Sequence, residues 1–175
     1  DVLDILADPA RDIYVEDAKG AGSSNRQLGK VLRLGLGYGM GPIKFASTAR
    51  LDPYRVTLSL KEARRLVLGW RKLNPAIVQL WRDVEDGCRN AMQAPGTVFP
   101  MGSFLKAAAT DTCLLVQLPS GRAIRYWRPS VRSVVKKVET VDEDGEIITI
   151  ERESREIHFY TSSPNAVDMD AESTY

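Results

Sequence analysis

Four side chains spaced by four residues form the most chemically suggestive pattern in the sequence: Arg26, Lys30, Leu34 and Tyr38. Residues four apart on a helix lie close to one face and drift slowly around it. An arginine fork and a lysine point charge one turn apart can hold a polyphosphate. The apolar residue and the aromatic ring, one and two turns further on, suit a sugar and a base. The pattern indicates a nucleotide site, with a solvated basic face beside core residues as the alternative.

Two common phosphate-binding motifs are absent from this region. A GxGxxG pattern that starts at Gly35 would need a glycine at position 40, which is Met40. A P-loop that ends in Gly29-Lys30 would need glycine where Ser24 stands and a hydroxyl residue where Val31 stands. A phosphate held here would therefore be bound by a helix face and not by a glycine-rich loop.

The helix that would carry these side chains is predicted to begin near Arg26, after a Gly- and Ser-rich loop over residues 20–25. Asn25 or Ser24 can cap it. We expect it to run to about Tyr38 and to end at Pro42, with apolar positions at Leu28, Val31, Leu32 and Leu36. Glycines alternate over residues 35–41, which predicts a helix held by tertiary contacts or approached closely by a ligand or another chain.

The surrounding sequence predicts an α+β fold in three parts. Residues 1–95 read as helical, with a break at Pro9, a capping box at Ser59 and a new helix capped by Asn74 before Pro75. Residues 96–160 read as β-hairpins, with strands over 114–118, 123–127, 131–141, 147–150 and 157–160. Residues 161–175 read as a polar connector.

Charge is segregated along the 175 residues. The net charge of +1 is the balance of −4 over residues 1–25, +14 over 26–137 and −9 over 138–175. A basic stretch of this size is typical of a chain that binds a polyanion. A non-catalytic nucleic-acid-binding module would use the same surface, and tryptophans could stack on bases, although we expect core packing of Trp70, Trp81 and Trp127. The acidic segment could cover the basic region, hold a partner or form a simple solvated hairpin.

Several classes of protein are disfavoured by composition. His158 is the only histidine, which argues against multi-histidine metal sites and a Ser-His-Asp triad, and we expect it to be an ordinary strand residue. The two cysteines, Cys88 and Cys113, lack CxxC spacing, so a reducing compartment such as the cytoplasm is expected. No apolar run approaches the length of a membrane span, so no membrane partner is expected.

Residues 26–39, RQLGKVLRLGLGYG, resemble motif B of the A-family (Pol I-like) DNA polymerases, and the GLGYGMG form is similar to their bacteriophage branch. Further stretches agree with that branch in order, over about residues 1–127. They are Asp12-Ile13-Tyr14, residues 74–81 (NPAIVQLW) and residues 118–122 (LPSGR) followed by Tyr126. The resemblance implies a helical fingers subdomain followed by antiparallel hairpins that join the palm.

The resemblance also implies roles for individual residues. Arg26 and Lys30 match positions that contact the triphosphate of the incoming dNTP, and Lys30 matches a candidate catalytic acid for pyrophosphate departure. Leu34 matches the position beside the sugar, and Tyr38 with Gly39 matches the position that checks the nascent base pair. Tyr14 aligns loosely with a further phosphate-contacting residue. The implied partners are primer-template DNA and dNTPs, and the sequence points to no particular processivity factor.

The chain departs from the family in what it lacks. Polymerases of this family hold two Mg²⁺ ions on carboxylates of motifs A and C. Neither motif occurs here. The segment around His158 is not motif C, because no acid follows the histidine. We therefore expect a piece of a longer, phage-type polymerase that does not polymerise by itself, with the Mg²⁺ ligands outside it. The last residues, Glu172–Tyr175, resemble the start of a palm-side helix.

Overall fold

The computed structural model describes residues 2–160 and 172–174, in which helices precede an antiparallel sheet. The helices are α1 Val2–Ala7, α2 Ile13–Gly20, α3 Arg26–Val31, a π-helical turn Leu32–Leu36 (the π-turn), α4 Pro42–Arg50, α5 Leu60–Leu73 and α6 Pro75–Gln93. The strands are β1 Val98–Met101, β2 Leu105–Ala109, β3 Cys113–Gln117, β4 Ala123–Val141, β5 Ile147–Tyr160 and β6 Glu172–Thr174. Neighbouring strands follow chain order from β1 to β6. The described part of the chain is therefore α+β.

The chain divides into two compact units. Of the described residues, the first unit contains 2–77 and 137–150, and the second contains 78–136, 151–160 and 172–174. The core of the first unit is formed by α3, the π-turn, α4 and α5, with Val31, Leu32, Leu36, Phe45 and Val67 almost completely buried. The core of the second unit lies between α6 and the first three strands, around Cys88, Ala91, Met101 and Leu114. All candidate nucleotide-binding residues lie in the first unit.

Helices α2 and α3 approach each other closely because a glycine lies at their contact. A Cβ atom added to Gly29 would lie 1.7 Å from the carbonyl oxygen of Tyr14 and 2.9 Å from the backbone nitrogen of Ala18. Only glycine lets the α3 backbone lie this close to α2. The sequence analysis did not assign this role to Gly29, although it lies between Arg26 and Lys30.

The helix predicted over residues 26–38 begins as expected but ends earlier and differently. Asn25 caps it, since its side-chain oxygen accepts a hydrogen bond from the Gln27 backbone N–H at 2.9 Å. The α-helical part ends at Val31, the chain continues through the π-turn, and a turn follows over residues 37–39. The prediction that Pro42 ends this helix is wrong, because Pro42 begins α4. Proline fits there because the N–H it lacks is one that the first turn of a helix leaves unpaired.

The two predicted caps further along the chain have different outcomes. Ser59 caps α5 as expected, since its hydroxyl accepts a hydrogen bond from the Glu62 N–H at 3.2 Å. The assignment of Asn74 as the cap of α6 is wrong. Its side-chain amide donates instead to the carbonyl oxygen of Trp70 at 2.9 Å and so caps the C-terminus of α5.

The hairpins differ from the prediction in length. The turn over residues 118–122 joins β3 to β4 as expected. Two pairs of predicted strands are each one continuous strand, β4 and β5. Within β4, Arg128 takes a left-handed backbone angle (φ 46°) and its N–H donates to the Thr112 carbonyl, and the strand continues past it. The helix start expected at Glu172 is wrong for residues 172–174, which form β6 and pair with His158–Tyr160 of β5. Tyr175 and residues 161–171 of the predicted connector lie outside the described residues.

Candidate functional site

Arg26 begins α3 and is held from two directions. Its Nε donates to Oδ2 of Asp12 at 2.7 Å. Its guanidinium carbon lies 5.0 Å from the centre of the Tyr14 ring, a cation–π distance. Asp12 and Tyr14 both belong to the start of α2, so the close α2–α3 contact brings the three side chains together. The arginine remains half exposed.

Asp12 has two separate hydrogen-bonding tasks. Its Oδ1 accepts from the backbone N–H groups of Tyr14 at 2.8 Å and Val15 at 3.3 Å, which caps α2. Its Oδ2 binds Arg26. The hydrogen bond from Arg26 lowers the pKa of the Asp12 carboxyl the most, burial opposes this, and the two backbone hydrogen bonds lower it further. Asp12 therefore stays negatively charged at neutral pH.

Lys30 lies one helical turn beyond Arg26 on α3 and is partly buried. Among the described residues its ammonium group makes no ion pair or hydrogen bond. Its neighbour Arg33 differs, because it forms a two-pronged pair with Asp17 of α2: Nε to Oδ2 at 2.5 Å and Nη2 to Oδ1 at 2.7 Å. Arg33 thus ties the π-turn to α2, whereas the ammonium group of Lys30 is available to a ligand.

The π-turn sets where Leu34 and Tyr38 lie. An α-helical turn holds 3.6 residues, so a side chain four positions further along lies slightly more than one full turn around the helix axis. A π-helical turn is wider, with hydrogen bonds between residues i and i+5, so a side chain four positions further along lies slightly less than one full turn around the axis. The side chain of Leu34 is 42% exposed and that of Tyr38 is 90% exposed, whereas Leu32 and Leu36 are buried in the core. Leu34 and Tyr38 are therefore accessible from solvent.

The turn after the π-turn is fixed by a residue from α5. Gly39 has a positive φ of 77°, a conformation that favours glycine. The carbonyl oxygens of Gly39 and Met40 both accept hydrogen bonds from Nη2 of Arg71 at 3.4 Å. Met40 also packs over Gly35, at 3.4 Å from where a Cβ of that residue would lie. These contacts restrain the backbone next to Tyr38.

The structure thus brings the predicted site residues into one segment of the first unit and adds residues that the sequence analysis missed. Tyr14 contacts Arg26 through its ring face, a contact the sequence did not predict. The missed residues are Asp12, the Asp17–Arg33 pair and Arg71. Asp12 had a signal, because an Asp just before an apolar helical stretch is a typical N-cap. Arg33 and Arg71 had none, because their partners lie 16 and about 30 residues away in the chain.

Clusters of metal-ligating side chains are absent from the described residues. In that part of the chain no three His, Cys, Asp or Glu side chains come together. Two carboxylates of the same unit, Asp12 and Asp17, are paired with arginines. No step through Mg²⁺ is therefore assigned to this chain. His158 lies in β5, which confirms the prediction that it is a strand residue. Its Nε2 is 3.6 Å from a Glu156 carboxylate oxygen.

The three tryptophans have different environments. Trp70 packs against the core of the first unit, as expected. Trp81 is partly buried on α6. Trp127 is 54% exposed on β4, so the expectation of core packing is wrong for this residue. Between residues 2 and 160 no helix is long and apolar enough to cross a membrane.

The sequence is similar to a phage protein. It is 34% identical over 110 residues to a protein named DNA polymerase from Bacillus phage SP02. This match relates the chain to a phage DNA polymerase. The matching segment covers 63% of this chain but 16% of the phage protein, so the chain spans a small part of the length of its relative. No protein-family model matches the sequence, and no solved structure matches it.

Proposed function

We propose that this chain is the nucleotide-binding fingers part, with adjoining palm strands, of a template-directed DNA polymerase of the A-family and its phage branch. The observation that carries the proposal is the segment from α3 through the π-turn to the turn at residues 37–39. In this segment two cations, an exposed leucine and an exposed tyrosine follow in order, in a chain related to a phage DNA polymerase. The substrates are dNTPs and primer-template DNA, and the site of action is the cytoplasm of the host cell.

In this proposal each side chain meets one part of the incoming nucleotide. Arg26 and Lys30 bind the triphosphate, because a guanidinium fork and an ammonium group complement phosphate oxygens. Lys30 also donates a proton to the departing pyrophosphate. Leu34 lies against the sugar. Tyr38, beside the restrained backbone of Gly39, stacks near the nascent base pair. The carboxylates that hold two Mg²⁺ ions belong to other parts of the proposed polymerase.

The test is to separate nucleotide binding from DNA binding. The dissociation constants of the 175-residue chain for dATP and for a primer-template duplex are measured for the unmodified chain, Lys30→Ala and Lys44→Ala. Lys44 is an exposed lysine on α4 of the same unit, so it controls for the loss of one positive charge. We expect Lys30→Ala to weaken dATP binding about tenfold, the lower end for a hydrogen bond to a charged group, and to change duplex binding no more than Lys44→Ala.

A second candidate function has one specific observation in its favour. Trp127 is half exposed on β4, and Arg125 and Arg128 are exposed on the same strand. Aromatic side chains among cations are typical of surfaces that bind single-stranded nucleic acid. A non-catalytic binding module of this kind would lose affinity for a single-stranded oligonucleotide when Trp127 is replaced by alanine, and it would show no preference for dNTPs. Equal losses of dATP and duplex binding in Lys30→Ala would favour this second function.

A further inference from the structure

The arrangement around Arg26 leaves part of its guanidinium group available. A guanidinium group has five N–H donors, of which the one on Nε points to Oδ2 of Asp12 at 2.7 Å. Its two terminal nitrogens make no hydrogen bond to any described residue. The face of the group is covered by the Tyr14 ring at 5.0 Å. One edge and one face are therefore held, while the two-pronged end that matches a phosphate group is open.

We infer that Asp12 is a positioning residue for the triphosphate site and that it acts only through Arg26. Its carboxylate fixes the arginine fork before the nucleotide arrives, and the Tyr14 ring supports the same orientation from the side. Holding a long side chain in its bound conformation removes an ordering cost that binding would otherwise include. This inference rests on the proposed nucleotide site, since it names how one of its phosphate ligands is oriented.

Orientation of Arg26 by Asp12 and simple electrostatics predict opposite changes in the nucleotide dissociation constant when Asp12 is neutralised. Asp12 is a negative charge beside the site of an anionic ligand, so its repulsion alone would weaken nucleotide binding. Neutralising Asp12 would then tighten the complex. If Asp12 instead orients Arg26, neutralising it weakens the complex. The sign of the change in the dissociation constant therefore separates the two effects.

Asp12→Asn is well suited to this test because the two carboxylate oxygens have different tasks. Asparagine keeps Oδ1, the atom that caps α2, and Asn is as good a cap as Asp. It replaces Oδ2 by an NH₂ group, which cannot accept from Arg26. The matched control is Asp52→Asn, because Asp52 also binds the Nε of a nearby arginine, Arg55, in an exposed pair of the same unit. Circular dichroism checks that both variants retain the helical content.

The experiment is a double-mutant cycle on dATP binding, measured by calorimetry with the unmodified chain, Asp12→Asn, Arg26→Ala and the double variant. We expect Asp12→Asn to raise the dissociation constant about 2- to 12-fold, the ordering cost of one long side chain, and to have no further effect in the Arg26→Ala background. Inorganic tripolyphosphate, used as a second probe, is expected to show the same pattern. Asp52→Asn is expected to bind like the unmodified chain.

Three results would overturn the inference. Unchanged or tighter binding by Asp12→Asn would show that the carboxylate does not orient the fork. If Asp12→Asn weakens dATP binding equally in the unmodified and the Arg26→Ala backgrounds, Asp12 does not act through Arg26. If the unmodified chain and Arg26→Ala bind dATP equally, the nucleotide site itself is misplaced, a failure recognisable because it does not involve Asp12.

Discussion

Replacing Gly29 by alanine tests whether α2 and α3 pack as closely as the structure has them. Alanine in the interior of a helix is normally favoured over glycine by about 1 kcal/mol. At Gly29, however, the new methyl group would lie 1.7 Å from the Tyr14 carbonyl oxygen, where real Cβ contacts stay beyond 3.0 Å. The obstacle is the backbone of α2 and not a flexible side chain, so the helices must separate by more than 1 Å. We expect a loss of about 3 kcal/mol, the upper end for inserting a methyl group into a packed interior.

The same chain provides a matched control at Gly69. This glycine lies inside α5, and nothing lies within 4 Å of the position its Cβ would take. Gly69→Ala is therefore expected to stabilise the protein by about 1 kcal/mol from helix propensity alone. Urea unfolding followed by far-UV circular dichroism measures both variants against the unmodified chain. If Gly29→Ala is as stable as Gly69→Ala, α3 does not lie against α2 in the way described, and the account of how Arg26 is held fails with it.

Three further predictions concern the thiol, the sugar position and the chain's own activity. Burial raises the pKa of the Cys88 thiol to about 11 from 9.0, so the folded state binds this proton more tightly than the unfolded state. Stability is therefore expected to fall as pH rises from 9.0 towards 11. Cys88→Ser should lose this part of the pH dependence in urea titrations, and an unchanged profile would contradict it. Leucine at position 34 cannot donate a hydrogen bond in place of a missing 3′-hydroxyl, so the proposed full-length polymerase should discriminate against dideoxynucleotides. Leu34→Tyr should weaken this discrimination in incorporation assays. An unchanged ratio of dideoxynucleotide to deoxynucleotide incorporation would assign Leu34 another role. The purified 175-residue chain should not extend a primer, and template-dependent extension would refute this.

Much of the helical part could be predicted because its signals are local. The Ser59 cap and the start of α3 at Arg26 follow from residues within one helical turn, and the structure confirms them. The π-turn and the early end of the helix could not be predicted in this way. They depend on Arg33 reaching Asp17 and on Arg71 reaching the Gly39 carbonyl, which are tertiary contacts. The new start at Pro42 was missed because a proline after glycines is typical of both the end and the beginning of a helix.

The candidate site shows the same division between local and distant information. The spacing of Arg26, Lys30, Leu34 and Tyr38 could be read from the sequence, and the exposure of Leu34 and Tyr38 agrees with it. The pairing of Arg26 with Asp12 could not, because 14 residues separate them and Gly29 must bring their helices together.

The acidic hairpin was left open by the sequence, and the structure favours a docked turn over a purely solvated one. Within the first unit, Nε of Arg64 donates to the Val141 carbonyl at 3.1 Å, and Val141 is buried. Gly145 approaches Lys61 so closely that an added Cβ would lie 2.9 Å from the Lys61 Cβ. Gly145 also has a positive φ of 96°, so Gly145→Ala is expected to disturb this contact and lower the stability of the first unit.

The most direct test of the central claim is to map where a nucleotide lies on the chain. A dATP analogue with an azide on its base is bound, crosslinked by light, and located by mass spectrometry of tryptic peptides. The account predicts labelling of the peptide that follows Arg33 and contains Leu34 and Tyr38, and loss of that label in Lys30→Ala but not in Lys44→Ala. Labelling centred on Trp127, or labelling that Lys30→Ala leaves unchanged, would contradict a nucleotide site on α3 and the π-turn.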